Sequence, residues 1–220
     1  MPRLARAIAI GYPHHITQRG NYRQTVFAEE GDYARYVELL SGFTPKYGLE
    51  IWAYCLMPNH VHFVAVPTRQ ESLARTFNTV HMLYAQYFNR KRKEVGHLWQ
   101  GRFYSCVLDE RHLYAAVRYV ELNPVRGGIV AIPQDYPWGS AKSHITGEAD
   151  PILSGFFLSE TVADWRQYLG QVHDQEATEG LIKATKIGRP CGGENFVKQM
   201  EGLLKRQFTA LPRGRPCKKE

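Results

Sequence analysis

No run of eighteen or more apolar residues occurs in the 220-residue chain, so no segment reads as a membrane-spanning helix. Cysteine is scarce and scattered, at Cys55, Cys106, Cys191 and Cys217, with no Cys-x-x-Cys pair. That pattern argues against a disulfide framework or a structural zinc knuckle and fits a reducing cytoplasm. The opening Met1-Pro2-Arg3-Leu4-Ala5-Arg6 is basic, but the apolar stretch after it is short and is interrupted by His14 and His15, so no secretory leader is expected. Acidic residues run short toward the C-terminal end. Residues 1–180 hold 18 Lys/Arg and 18 Asp/Glu, whereas residues 181–220 hold 10 against 3, which is the whole of the +7 net charge. A basic tail on a neutral body is an electrostatic footprint for a polyanion. Nucleic acid is the common partner and an anionic membrane the lesser one. The tail has no clean apolar face for membrane anchoring, so no membrane partner and a cytoplasmic, nucleoid-associated location are expected.

The hydrophobic content of 44% and aromatic content of 12% supply a sizeable core. Periodicity then divides the chain. Residues 8–18 read as a strand ending in the Gly20-Asn21 turn. Tyr33, Tyr36, Val37, Leu40 and Phe43 recur at helical spacing over 30–46, closed by Pro45 and Gly48. Residues 49–56 and 61–66 form a strand pair linked tightly through Met57-Pro58-Asn59. A helix follows over 71–93, its end Arg90-Lys91-Arg92-Lys93 suited to the negative end of the helix dipole. Then come a strand over 102–108, a helix over 110–122 stopped by Asn123-Pro124, and irregular chain over 127–160. The order β-α-β-β-α-β-α predicts an α+β fold of the ferredoxin-like split β-α-β type: an antiparallel sheet with helices on one face and the other face open to substrate. Three units are expected: a catalytic domain over 1–145, a peripheral segment over 146–180, and a small basic extension over 181–220.

The most informative segment is Met57-Pro58-Asn59-His60-Val61-His62-Phe63-Val64. Side chains alternate along a strand, so His60 and His62 share one face while Val61 and Phe63 take the other. Two imidazoles so placed can hold one metal ion; they could also simply complete a half-polar face. In the third helix, Tyr119 and Asn123 are four residues apart and so lie on one face. A helical tyrosine is commonly a packing residue with its hydroxyl at the surface. His14, His15, His81, His97, His112, His144 and His173 lack a ligand-like partner spacing and read as ordinary residues.

Taken together, Thr17-Gln18-Arg19-Gly20-Asn21, Met-Pro-Asn-His-Val-His, Leu98-Trp99-Gln100-Gly101-Arg102-Phe103 and Tyr119-Val120-Glu121-Leu122-Asn123-Pro124-Val125-Arg126 resemble the HUH-type single-tyrosine transposases of the IS200-like family. More narrowly, they resemble its REP-associated tyrosine transposase branch, over residues 12–142. The resemblance implies a metal-dependent DNA endonuclease and strand transferase. His60 and His62 would hold a divalent metal, Mg²⁺ or Mn²⁺, with Asn123 as a weak third ligand where relatives often carry Gln. Tyr119 would attack a phosphodiester of single-stranded DNA and become linked to its 5′ phosphate. Its phenol has a pKa of about 10, so nearby positive charge would help; Arg102, Arg118 and Arg126 are candidates. The substrate implied is a hairpin of a repeated palindrome, handled by a monomer or a homodimer, in a mobile or a domesticated role. A non-catalytic hairpin-binding protein on the same fold is the competing reading, and a water-using metal hydrolase a third.

DNA contacts are expected from Arg19, Asn21, Arg23, Arg102, Arg118 and Arg126 through phosphates and from Trp99 by stacking on unpaired bases. In the tail, Gly-Arg-Pro-Cys occurs twice, at Gly188–Cys191 and Gly214–Cys217, bringing Arg189, Arg213 and Arg215. Pro212-Arg213-Gly214-Arg215-Pro216 carries the core of an AT-hook, which suits the narrow minor groove of A·T-rich duplex. A basic tail binding any nucleic acid through counterion release is the plainer alternative.

Overall fold

The structure, a computed structural model, describes residues 6–155, 162–171 and 174–208. Four strands form one antiparallel sheet in the order β2-β3-β1-β4: β1 His14–Arg19, β2 Leu49–Met57, β3 His60–Pro67 and β4 Tyr104–Val107. The first strand is shorter than the expected 8–18. The chain before it folds back instead, and the His14 ring takes the Ala9 N–H on Nε2 and donates from Nδ1 to the Tyr12 carbonyl. The β2–β3 link is a two-residue turn at Pro58-Asn59, with Met57 paired to His60.

Helix α1 (Glu30–Tyr47) starts where the Asp32 carboxylate accepts the Ala28 and Glu29 N–H groups. It ends at Gly48, whose φ of 64° is left-handed and where a Cβ would sit 2.2 Å from Thr68 Oγ1. Pro45 lies inside the last turn rather than after it. Helix α2 spans Ser72–Arg92. Tyr36 and Leu40 of α1 and Phe77, Val80 and Tyr84 of α2 bury against Ile16, Val61, Phe63 and Ala65 of the sheet. Each large apolar side chain so covered contributes about 2 kcal/mol.

The second sheet face was expected to stay open, and here the structure differs. Helix α3 (Glu110–Glu121), N-capped by Asp109 accepting the His112 N–H, lays Leu113, Val117 and Val120 against Ala53, Cys55, Val64 and Cys106. The short α4 (Asn123–Arg126) and α5 (Ala141–Thr146) follow, then α6 (Trp165–Gly170), α7 (Gln175–Ile187) and α8 (Glu194–Leu204). Leu181 and Ala184 of α7 join the same core, and Cys191 runs beside Leu108 as a parallel bridge. The division expected at residue 181 therefore falls within a packed helix. The sequence hid this because the charge count from residue 181 onward takes Lys183 and Lys186 of α7 and leaves out its Glu176 and Glu179, while the buried Leu181, Ala184 and Thr185 do not register in a charge count. Among the described residues no helix is long and apolar enough to cross a membrane.

Candidate active site

Strand alternation and the register of β1 on β3 put His60, His62, His15, Thr17 and Arg19 on one sheet face. A cavity opens over that face, walled by Tyr119 of α3 and by Ile182, Thr185 and Lys186 of α7. The Tyr119 ring meets the His62 ring edge-on at 5.4 Å and the His15 ring at 6.0 Å. The His60 and His62 rings are 4.9 Å apart and nearly perpendicular. The tyrosine and the paired imidazoles, separated in sequence by α2 and β4, thus line one cavity.

Each imidazole is oriented by a partner on Nδ1. His60 Nδ1–H donates to Asn59 Oδ1 at 2.6 Å, and Asn59 is itself pinned by its amide donating to the Arg23 carbonyl. His62 Nδ1 lies 3.0 Å from His15 Nε2. Both Nε2 atoms are left for a ligand, the arrangement found where a second hydrogen bond orients a metal-binding histidine. Burial, with the Arg19 charge adding to it, pushes the His60 pKa down to about 4. Burial first, and then the neighbouring His15 and His60, push His62 well below its ordinary value. Both rings are therefore neutral at neutral pH, the state a metal requires of them.

The donor set fits a divalent cation only in part. Among the described residues no group of three His, Cys, Asp or Glu side chains converges on one point. Asn123, expected as third ligand, is 8% exposed, turns its amide back onto the Tyr119 carbonyl at 3.4 Å, and is not among the cavity-lining residues. Its place four residues after Tyr119 falls at the start of α4, just beyond the end of α3 at Leu122. The two imidazoles are the nitrogen donors that face the cavity with Nδ1 already engaged, and Thr17, Gln18 and Gln100 line the same cavity with oxygen donors.

The expected cationic residues separate into groups. Arg126 stacks its guanidinium 4.0 Å from the Tyr119 ring centre. Arg19 lines the cavity beside His60. Arg23 and Arg102 are exposed, and Asn21 half-buried, along the rim formed by the 20–24 loop and the 98–102 segment. Arg118 is spent elsewhere: it bonds the Tyr168 carbonyl and the Gln171 side chain and stacks on the Tyr168 ring, tying α6 to α3. Trp99 is 8% exposed and packs among Tyr36, His81 and Tyr84 with its indole N–H on the His81 carbonyl, so it serves the core rather than presenting a ring to DNA. Arg189 is exposed just past α7, away from the cavity lining. Arg213 and Arg215 lie outside the described residues.

Sequence reasoning passed over four residues at or near this cavity. His15 had no ligand-like spacing, yet pairing of β1 with β3 brings it against His62; its alternation with Thr17 and Arg19 was the available signal. Thr185 and Lys186 come from a helix that no local motif connects to the site. Tyr22 is 94% exposed on the rim, with φ of 51° beside Arg23 at 60°, two successive left-handed residues that are not glycine.

A helical tyrosine facing paired histidines on a split β-α-β sheet is the geometry of this cavity, and comparison with known proteins gives the class to which the chain belongs. The family profile described as "Transposase IS200 like" matches residues 10–123, just over half of the chain, so the chain belongs to the IS200-like transposase family. It is 22% identical over 158 residues to a Haemophilus influenzae protein named as a candidate REP-associated tyrosine transposase, covering 64% of this chain and 90% of that one. Among solved structures it is similar to a REP-associated tyrosine transposase bound to a REP hairpin, with TM-score 0.53 and 19% identity over 71% of this chain and 93% of the other; that likeness bears on the fold.

Proposed function

We propose that this protein nicks and rejoins single-stranded DNA at hairpins, through a covalent bond between Tyr119 and a 5′ phosphate. The observation that carries the reading is the shared cavity: the Tyr119 ring stands 5.4 Å from the His62 ring, with His60 alongside. The hairpin substrate class comes from the relative solved with a REP hairpin.

In the forward step the Tyr119 Oη attacks phosphorus, the P–O3′ bond breaks, the phenolic proton is lost to solvent and the 3′ hydroxyl is released. In the return step a 3′ hydroxyl attacks the same phosphorus and the P–Oη bond breaks. The bond order is conserved throughout, so no nucleotide cofactor is consumed. The Arg126 guanidinium against the Tyr119 ring favours the developing phenolate and offers a phosphate contact. Arg19 brings a second positive charge to the His60 side of the cavity. A divalent cation held by Nε2 of His60 and His62 would supply Lewis-acid polarisation of the phosphate. The neutral nitrogen donors suit Mn²⁺ better than Mg²⁺, which prefers oxygen.

DNA would lie along the rim of Asn21, Tyr22, Arg23 and Arg102, with the Gly-Arg-Pro segment holding adjoining duplex. The test is a denaturing gel with labelled hairpin-bearing single strands and Mn²⁺ or Mg²⁺. A protein–DNA adduct that disappears in Tyr119→Phe is expected. Cleavage that survives Tyr119→Phe points to a water-using hydrolase, and binding with no cleavage points to a hairpin-recognition protein.

A further inference from the structure

We propose that Thr185 and His15 are positioning residues that fix the tautomer of His62, which makes α7 part of the catalytic centre. The inference rests on the metal-binding reading of His60 and His62 given above. Its basis is a continuous buried chain of hydrogen bonds whose direction can be worked out atom by atom.

The chain begins at a group with no choice. The Leu181 carbonyl can only accept, and Thr185 Oγ1 lies 2.7 Å from it, so the hydroxyl proton is committed there. Thr185 Oγ1 then has lone pairs only for its other neighbours. One is Cys106 Sγ at 3.2 Å, which can donate its thiol proton. The other is His15 Nδ1 at 2.8 Å, which must carry the proton and donate it. His15 is 1% exposed, and a ring so removed from water is held neutral, with one N–H, so His15 Nε2 is a bare acceptor. His15 Nε2 faces His62 Nδ1 at 3.0 Å, so His62 must be protonated on Nδ1. Its Nε2 is then left with a free lone pair, which is the form a cation can use.

The reversed direction makes one bond fewer. Were Thr185 to donate to His15, its 2.7 Å bond to the Leu181 carbonyl would be lost. His15 would then donate from Nε2, and His62 would present an N–H from its Nε2, which excludes a cation. All four participants are shielded: His15, His62, Cys106 and Thr185 are each no more than 6% exposed, so water does not compete for the bonds. His60 reaches the same tautomer by a different route, through Asn59 Oδ1 on the hairpin turn. The two candidate ligands are therefore set independently, one by the β2–β3 turn and one by a helix some 120 residues further on.

The experiment uses full-length protein labelled with ¹⁵N at histidine. Two-bond ¹H–¹⁵N correlation spectra at neutral pH without metal report each tautomer, and electron paramagnetic resonance of free Mn²⁺ reports affinity. Wild type should show His62 protonated on Nδ1. Thr185→Val keeps the shape but removes the acceptor; His62 should move toward the Nε2-protonated form and Mn²⁺ affinity should fall about ten- to a hundredfold. Thr185→Ser should restore both readings. If Thr185→Val does not fold, His15→Leu, which removes both the donor and the acceptor, replaces it, with the same loss of Mn²⁺ affinity expected. A wild-type His62 protonated on Nε2, or a folded Thr185→Val with unchanged tautomer and affinity, overturns the proposal. An Nδ1-protonated His62 in a wild type that binds no Mn²⁺ supports the hydrogen-bond chain and overturns the metal reading instead.

Discussion

The Arg126 guanidinium stacks 4.0 Å from the centre of the Tyr119 ring, and its Nη2 donates a 2.8 Å hydrogen bond to the Tyr119 backbone carbonyl. One side chain thus holds the last turn of α3 and places a fixed positive charge on the ring of the proposed nucleophile. Such a charge counts for more as the phenol becomes a phenolate than in the resting state. Arg126→Ala should lower single-turnover nicking about a hundredfold, and Arg126→Lys should recover only part of that, because an ammonium cannot stack as a flat fork does. Hairpin affinity should fall far less than the rate. A variant that loses affinity and rate in equal measure would show Arg126 to be an ordinary phosphate contact.

The paired imidazoles lead to a second expectation. Chelation of divalent metal should abolish adduct formation while leaving hairpin binding in place, and added Mn²⁺ should restore it. His60→Ala and His62→Ala should behave as the chelated protein does. His62→Ala is the harsher change because His62 is buried and its loss strands His15 Nε2, so its melting temperature should drop more than that of the half-buried His60→Ala. Adduct formation that persists in the double variant would remove the histidines from the chemistry.

Much of the fold was legible because its signals are local. The helical recurrence of Tyr33, Tyr36, Leu40 and of Phe77, Val80, Tyr84, and the His-x-His alternation, belong to single elements whose faces follow from their period. The place of Tyr119 opposite those histidines was readable only through resemblance, since it depends on how α3 packs over the sheet. His15 and Thr185 were not legible because their meaning arises from pairing across 47 and 170 residues. Asn123 stays within reach of the Tyr119 carbonyl, but Leu122 (φ −84°, ψ 1°) separates α3 from α4, so its placement could not be read from one continuous helical period.

Acid should destabilise the protein through histidines remote from the cavity. His14 is wholly buried, donates from one ring nitrogen to Tyr12 and accepts the Ala9 N–H on the other, which only a neutral ring can do. His81 is buried against Trp99 and bonds the Tyr36 hydroxyl. Burial pushes His14 down to about 4, and burial followed by the Arg6 charge pushes His81 down to about 3. In the unfolded chain both titrate near pH 6.5, roughly. Above that value neither state binds the proton and stability is fully present. As pH falls below it, the unfolded chain takes up protons that the folded one refuses, so stability is lost progressively toward about pH 4. Melting temperature should therefore be flat above neutrality and decline through the mildly acid range, with a shallower decline in His81→Gln. An unchanged slope in that variant would assign the acid sensitivity to other groups.

Tyr22 offers a test in which stability and binding should move in opposite directions. Its φ of 51° and the 60° of Arg23 are left-handed, a region that costs a side-chain-bearing residue about 1 kcal/mol or more. The loop is held there by surrounding bonds: Gly20 N–H to the Asn59 carbonyl, Asn21 N–H to the Leu98 carbonyl, and the Gln24 side chain to Leu98 as well. The strain is met by nothing on the protein itself, since the Tyr22 ring is 94% exposed. An aromatic ring displayed at the rim, next to the turn that orients His60, suits stacking on an unpaired base, an interaction of about 1–3 kcal/mol per base. Tyr22→Gly should therefore raise the melting temperature by relieving the strain while weakening the binding of hairpins that carry an unpaired flank. Tyr22→Trp should keep the affinity, and a fluorescent base placed in the flank should be quenched by wild type and not by the glycine variant. Higher stability with unchanged hairpin affinity would mean that the ring stands clear of the DNA and that the loop is strained for some other purpose.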